Sequence, residues 1–167
     1  MLAGGVPLKA DREFFKETPP HVVVGTPGRI LGLDIGTKRI GVALSDEMGW
    51  SGIPLTTVEV HRNGAHVREL AALCTTWGVT TIVAGLPLNM DGTEGRMVKK
   101  VRELLKPIAA ATGLPVVEWD ERLTSMAVDR VLEEASMNPR ERKNVIDKLS
   151  ASLILQGYLE RRRNMAT

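Results

Sequence analysis

Apolar residues cluster twice within Ile30–Ser45, ILGLDIGTKRIGVALS, on either side of a polar middle. Ile30, Leu31 and Leu33 predict a short buried strand with an acid, Asp34, at its end. Ile40, Val42, Ala43 and Leu44 predict a second strand, so the stretch reads as a β-hairpin. Gly36 stands where the chain reverses, a tight turn that a residue with a Cβ resists. Ile53–Val60, rich in Thr and Val, predicts a third strand that completes an antiparallel meander. Val67, Leu70, Ala71, Leu73 and Cys74 recur at helical spacing and predict a helix over Ala65–Trp77, ended by Gly78. Thr81–Gly85 is a short apolar strand of the kind buried on both faces. Met97–Thr112 is helical through Val98, Val101, Leu104, Leu105 and Ile108, bent or broken near Pro107. Pro115–Trp119 is a further strand, and Ser125–Ala135 and Pro139–Arg162 are the last helices. Three strands, then helix, strand, helix, strand and helices, predict an α/β fold: a mixed sheet with helices on its faces.

Residues 1–28 stand apart. Lys9–Glu17 predicts one or two helical turns, Pro19-Pro20 stops them, His21–Val24 is a candidate strand, and Thr26-Pro27-Gly28 is a turn. The segment GGVPLKADREFFKETPPHVVVGTPGRIL resembles a fragment of a DEAD-box RNA helicase around that family's GG and TPGR motifs. In those proteins the TPGR turn touches RNA backbone, which maps to Thr26–Arg29. Neither a GKT loop nor a DEAD sequence follows, so no helicase activity is carried over. The expected organisation is an accessory extension over 1–28, one domain over 29–163 and a short tail over 164–167.

Composition narrows the class. A chain of 167 residues is long enough to bury about 70% of its unfolded surface as one domain. The net charge is only +2, so affinity for nucleic acid must come from local clusters of basic groups. The single Cys74 excludes an internal disulfide and a cysteine-based zinc cage, which fits a reducing cytoplasm. No apolar stretch reaches the ~18 residues of a membrane span, and the N-terminus lacks a secretory signal's apolar run.

Three acidic positions then carry the chemistry. Asp34 ends the first strand. Asp120 and Glu121 follow the strand Val116–Trp119, at the end where open α/β sheets hold ligands. Asp147 lies on the last helix among Val145, Ile146, Leu149, Leu153 and Ile154, beside a face that must turn inward. Singly, each acid reads as a turn, a cap or an ion pair. Together, at the sheet centre, they suit paired Mg²⁺ or Mn²⁺ ions, one activating water and the other stabilising the leaving oxygen. The loop GLPLNMDGTEG (85–95) joins a strand to a helix, so its amides can face an anion near that helix's start. Thr93 or Glu94 is its candidate cap, and Asn89 is a candidate phosphate or backbone partner. Lys38 and Arg39 in the hairpin, Arg122 beside the acid pair, and Arg140, Arg142, Lys143 and Lys148 around Asp147 are candidate phosphate contacts.

LDIGTKRIGVALSD, VAGLPLNMDGTEG, DERLTS and the helix IDKLSASLIL, all in order, together resemble the YqgF/RuvX family, relatives of the RuvC resolvases. The resemblance covers about Ile30 to Tyr158. It implies an RNase H-like fold, a mixed five-stranded sheet with helices on both faces. It further implies a nuclease acting in 5′-end maturation of pre-16S rRNA, with Holliday junction resolution in DNA as the alternative activity. Asp34, Glu121 and Asp147 would be the metal-binding catalytic acids, and Asp120 stands as a substitute for Glu121. The family's last helix commonly carries DxxAA, where this chain has Asp147-Lys148-Leu149-Ser150-Ala151. The implied partners are precursor rRNA on the small ribosomal subunit or branched DNA, with no membrane, and a monomer or homodimer as the working form. Two rival readings stay open: the phosphate hairpin of the actin, hexokinase and Hsp70 ATPases, and a non-catalytic RNA-binding ribosome-assembly factor.

Overall fold

The computed structural model describes residues 28–122 and 138–166, with the side chains of 139–148 outside that description. Its elements are β1 (Arg29–Ile35), β2 (Arg39–Ser45), β3 (Gly52–Glu59), α1 (Ala65–Trp77), β4 (Val79–Leu86), α2 (Arg96–Thr112), β5 (Val116–Asp120) and α3 (Pro139–Ala166). The strands form one sheet in the order β3-β2-β1-β4-β5. β1, β2 and β3 pair antiparallel, while β4 runs parallel to both β1 and β5. β1 is therefore central, and the C-terminal ends of β1, β4 and β5 lie together at one end of the sheet.

Alternation along the strands divides the core between two faces. Leu31, Leu33 and Ile35 of β1 pack with Ile82, Ala84 and Leu86 of β4 against Leu70 and Cys74 of α1 and Val98, Val101, Leu105 and Ile108 of α2. Ile30, Ala43, Val83 and Trp119 point the other way, onto Ala151, Ile154, Leu155, Tyr158 and Leu159 of α3. Gly32 lets α3 settle directly on β1: a Cβ there would lie 2.8 Å from the Leu155 Cβ and 2.9 Å from the Ala151 carbonyl oxygen. Gly52 does the same on β3, 3.0 Å from the Ser152 carbonyl oxygen. At the outer strand, Gly157 makes room for the Trp119 ring, which meets Tyr158 edge-on with centroids 6.0 Å apart. By the same alternation, Asp34 projects toward the α3 side.

Several local expectations shift. β4 is longer than Thr81–Gly85 at both ends, because Val79 and Leu86 are also buried. α2 is not broken at Pro107. The ring stands on the exposed side, where the carbonyl that loses its amide partner can face water. Gly36 does not take a left-handed conformation. What it supplies is clearance: a Cβ would come within 2.7 Å of the Arg39 carbonyl oxygen, which accepts the Gly36 amide at 2.9 Å. Neither Thr93 nor Glu94 caps α2, whose N-cap is Gly95 without a side-chain bond. α3 continues past Arg162 to Ala166. The expected helix Ser125–Ala135 and the readings of residues 1–27 lie outside the described residues.

Leu155 is fully buried where α3 meets Gly32. Leu155→Ala is expected to lower the unfolding free energy by roughly 2–5 kcal/mol in urea titrations. Gly32→Val is expected to cost at least as much, since helix backbone rather than a flexible side-chain end blocks the added atoms.

Candidate active site

The site is built at the end of the sheet where β1, β4 and β5 finish. Asp34 pairs with Gly41 of β2. On its other side, the Leu33–Ala84 pairing of β1 and β4 brings Gly85 alongside it. Asp34 thus has a glycine on each neighbouring strand, a floor where neither flanking residue brings a side chain of its own beside the carboxylate. Glu121 reaches this floor from β5. Its amide donates to the Leu86 carbonyl oxygen at 3.2 Å, which carries the β4–β5 ladder one residue further. Its side chain then lies across Gly85: an added Cβ would collide with Glu121 Oε1 and stand 2.9 Å from Glu121 Cγ and 2.6 Å from Ile154 Cδ1. Glycine at 85 serves the placing of the Glu121 side chain rather than a left-handed backbone.

Electrostatics follow from that crowding. Burial first, then the charges of Asp34 and Asp120, push the Glu121 carboxyl up to about 7. Two carboxylates share a partly desolvated floor, an arrangement that a divalent cation relieves. All-oxygen donors of this kind suit Mg²⁺ or Mn²⁺ rather than soft metals. Among the described residues no group of three or more candidate ligands gathers. The third acid expected, Asp147, is on α3 one turn before Ala151, and its side chain lies outside the described residues. Leu159 approaches Gly49, and Leu155 and Ala151 lie over Gly32. Followed toward its N-terminus, the α3 backbone therefore leads to the end of β1 that carries Asp34.

The neighbours of Glu121 are arranged differently. Asp120 alternates to the α2 side, as does Glu118, whose carboxylate takes two bonds from Arg102, at 2.9 and 3.0 Å. Arg122 donates to Asp120 from Nε at 3.0 Å and from Nη2 at 2.6 Å, and its guanidinium holds the Asp120 carboxyl below the usual range. Asn89 does not face an open anion site. Its side-chain amide donates to Thr93 Oγ1 at 2.9 Å, and the amides of Leu88, Asn89, Gly92 and Thr93 all have partners within the chain. Lys38 and Arg39 are exposed at the hairpin turn following Asp34. Arg140, Arg142, Lys143 and Lys148 lie outside the described side chains. Sequence reasoning passed over Gly41 and the Gly85 clearance, although a glycine inside a strand is itself a sign of close approach.

A family model described as "RuvX: Holliday junction resolvase" matches residues 28–161. The chain belongs to the RuvX family. A protein of Moorella thermoacetica named "Putative pre-16S rRNA nuclease" is 48% identical over 133 residues, covering 80% of this chain and 95% of that protein. One of the same name from Syntrophus aciditrophicus is 48% identical over 132 residues, covering 79% and 88%. Among solved structures, RuvC of T. thermophilus with a Holliday junction substrate overlays with a TM-score of 0.47 at 14% identity, covering 83% of this chain and 97% of that one. The RuvX motifs sit on a mixed five-stranded sheet with helices on both faces, the architecture expected from the sequence.

The raised Glu121 carboxyl makes a testable demand on stability. In metal-free protein the folded state binds a proton that the unfolded chain gives up near its ordinary value. This group's contribution to stability therefore falls as pH rises from about 4.5 toward about 7, and is flat above that. Glu121→Gln removes the fall, so the variant is expected to gain roughly 1–3 kcal/mol over wild type at pH 8 relative to pH 4, read by urea titration in chelator.

Proposed function

We propose that this RuvX-family protein is a divalent-metal-dependent endonuclease that hydrolyses phosphodiesters in the maturation of the 16S rRNA 5′ end, in the cytoplasm. The observation that carries this is the meeting of Asp34 and Glu121, from separate strands, over the floor made by Gly41 and Gly85. The name that the relatives carry, "Putative pre-16S rRNA nuclease", supports the substrate. Asp34, Glu121 and Asp147 would hold Mg²⁺ or Mn²⁺. Ions bound there supply activation of water and stabilisation of the leaving oxygen. The chain's own part is to bring the Asp34 and Glu121 carboxylates together on a floor where Gly41 and Gly85 add no side chains of their own. Lys38 and Arg39, exposed at the hairpin turn after Asp34, would contact phosphates beside the scissile one, the part the sequence also gives to Arg142, Lys143 and Lys148. No helix among the described residues is long and apolar enough to cross a membrane.

A 5′-extended 16S precursor and a four-way DNA junction, each with Mn²⁺ and with chelator, test this reading. Metal-dependent cleavage of the RNA is expected. Asp34→Asn and Asp147→Asn are expected to reduce it by at least about 100-fold, because misplacing the ions removes several kcal/mol of transition-state stabilisation. Preference for the junction would assign the chain to resolution instead. RNA binding without cleavage of either substrate would make it an assembly factor.

A further inference from the structure

Asp120 and Arg122 bracket Glu121 in sequence, and both side chains are engaged away from it. Arg122 donates to Asp120 from its backbone amide at 3.0 Å, from Nε to both carboxylate oxygens at 3.0 Å, and from Nη2 at 2.6 Å. Its remaining fork nitrogen, Nη1, donates to the Met90 carbonyl oxygen at 3.2 Å. Residue 90 belongs to the β4–α2 loop, and that loop is internally stiff. Thr93 bonds Asp91 through its amide at 2.9 Å and its hydroxyl at 2.6 Å, Asn89 bonds Thr93, and Gly92 turns with φ +85° beneath the guanidinium. One arginine therefore ties a rigid loop to the residue preceding Glu121, while the Glu121 amide is fixed to Leu86.

We propose that Arg122 and Asp120 act as a positioning clip rather than as a substrate contact and a metal ligand: together with the Met90 carbonyl they fix the backbone on both sides of Glu121 and direct its carboxylate over Gly85. The geometry favours this role in two ways. The clip uses the guanidinium's planar fork, which lysine cannot reproduce. Arg122 also reaches Asp120 and the Met90 carbonyl oxygen while the Glu121 side chain lies across Gly85, so the clip and the acid do not compete for space. The role rests on the nuclease reading only where turnover is measured.

The experiment compares Asp120→Asn, Arg122→Gln, Arg122→Lys and the Asp120→Asn/Arg122→Gln double variant with wild type. It reads three quantities: the Mn²⁺ dissociation constant by calorimetry, kcat on the precursor RNA, and RNA affinity in chelator as a function of salt. For a clip, each single variant weakens Mn²⁺ binding and lowers kcat by about 10–100-fold, as loss of a ligand's supporting partner does. The double variant is no worse than either single one, Arg122→Lys fails to rescue, and metal-free RNA affinity stays within twofold of wild type. The proposal is overturned if Asp120→Asn leaves Mn²⁺ affinity and kcat within twofold of wild type. It is equally overturned if Arg122→Gln lowers the salt slope of RNA binding by roughly 0.7–0.9, the loss of one phosphate contact. Arg122→Lys keeps the charge and serves should Arg122→Gln not fold. A wild type that binds Mn²⁺ but cuts no RNA would defeat the nuclease reading alone, since the Mn²⁺ constants still decide the clip.

Discussion

Two carboxylates are brought onto one partly buried floor at the end of a central strand, and much of the surrounding structure serves that placement. Ionised acids repel one another and resist leaving water, which is why the Glu121 carboxyl is pushed up to about 7. A fold that only needed stability would separate them or supply an apolar pair. This one keeps them together, using rigid strands on both sides and glycines where larger residues would force them apart. On the proposed reading, this pair of carboxylates is where a divalent cation would be held.

The helix on that face is held by close approach. Gly32, Gly52 and Gly157 remove the side chains that would stand between α3 and the sheet, and Leu155 fills the contact. Because the backbones approach so closely, a shift of the helix along the sheet would meet main-chain atoms rather than compliant side chains. The direction of α3 is thereby set, and with it the place of its N-terminal half relative to β1. On the opposite face, α1 and α2 complete an apolar core that holds β1 and β4 in register. The register matters because it sets Gly85, rather than a larger residue, beside Asp34.

Most of this fold was legible in the sequence. Ile30–Leu33 and Ile40–Leu44 are short apolar runs split by a polar turn, and the helical spacing of Val98, Val101, Leu105 and Ile108 is unambiguous. The motifs around Asp34, Asp120–Arg122 and Asp147 also led to the right family. What the sequence left open was direction. DER presents two acids and a base in a row, and nothing in those letters says which carboxylate turns toward Asp34. Strand alternation decides it: Glu118 and Asp120 face α2, while Glu121 reaches over Gly85. The loop left two readings open for a related reason, an anion cradle or an ordinary turn. In the structure Asn89, Asp91 and Thr93 bond one another within the loop. Such closure depends on three-dimensional pairing that spacing alone does not reveal.

The most direct measurement of the central claim is an anomalous difference map from crystals grown with Mn²⁺. A peak beside the carboxylates of Asp34 and Glu121 is the expected result. The same peak should vanish in Asp34→Asn crystals. A Mn²⁺ peak coordinated by Asp120 instead of Glu121, or none at the Gly41–Gly85 floor in wild-type crystals, would contradict it.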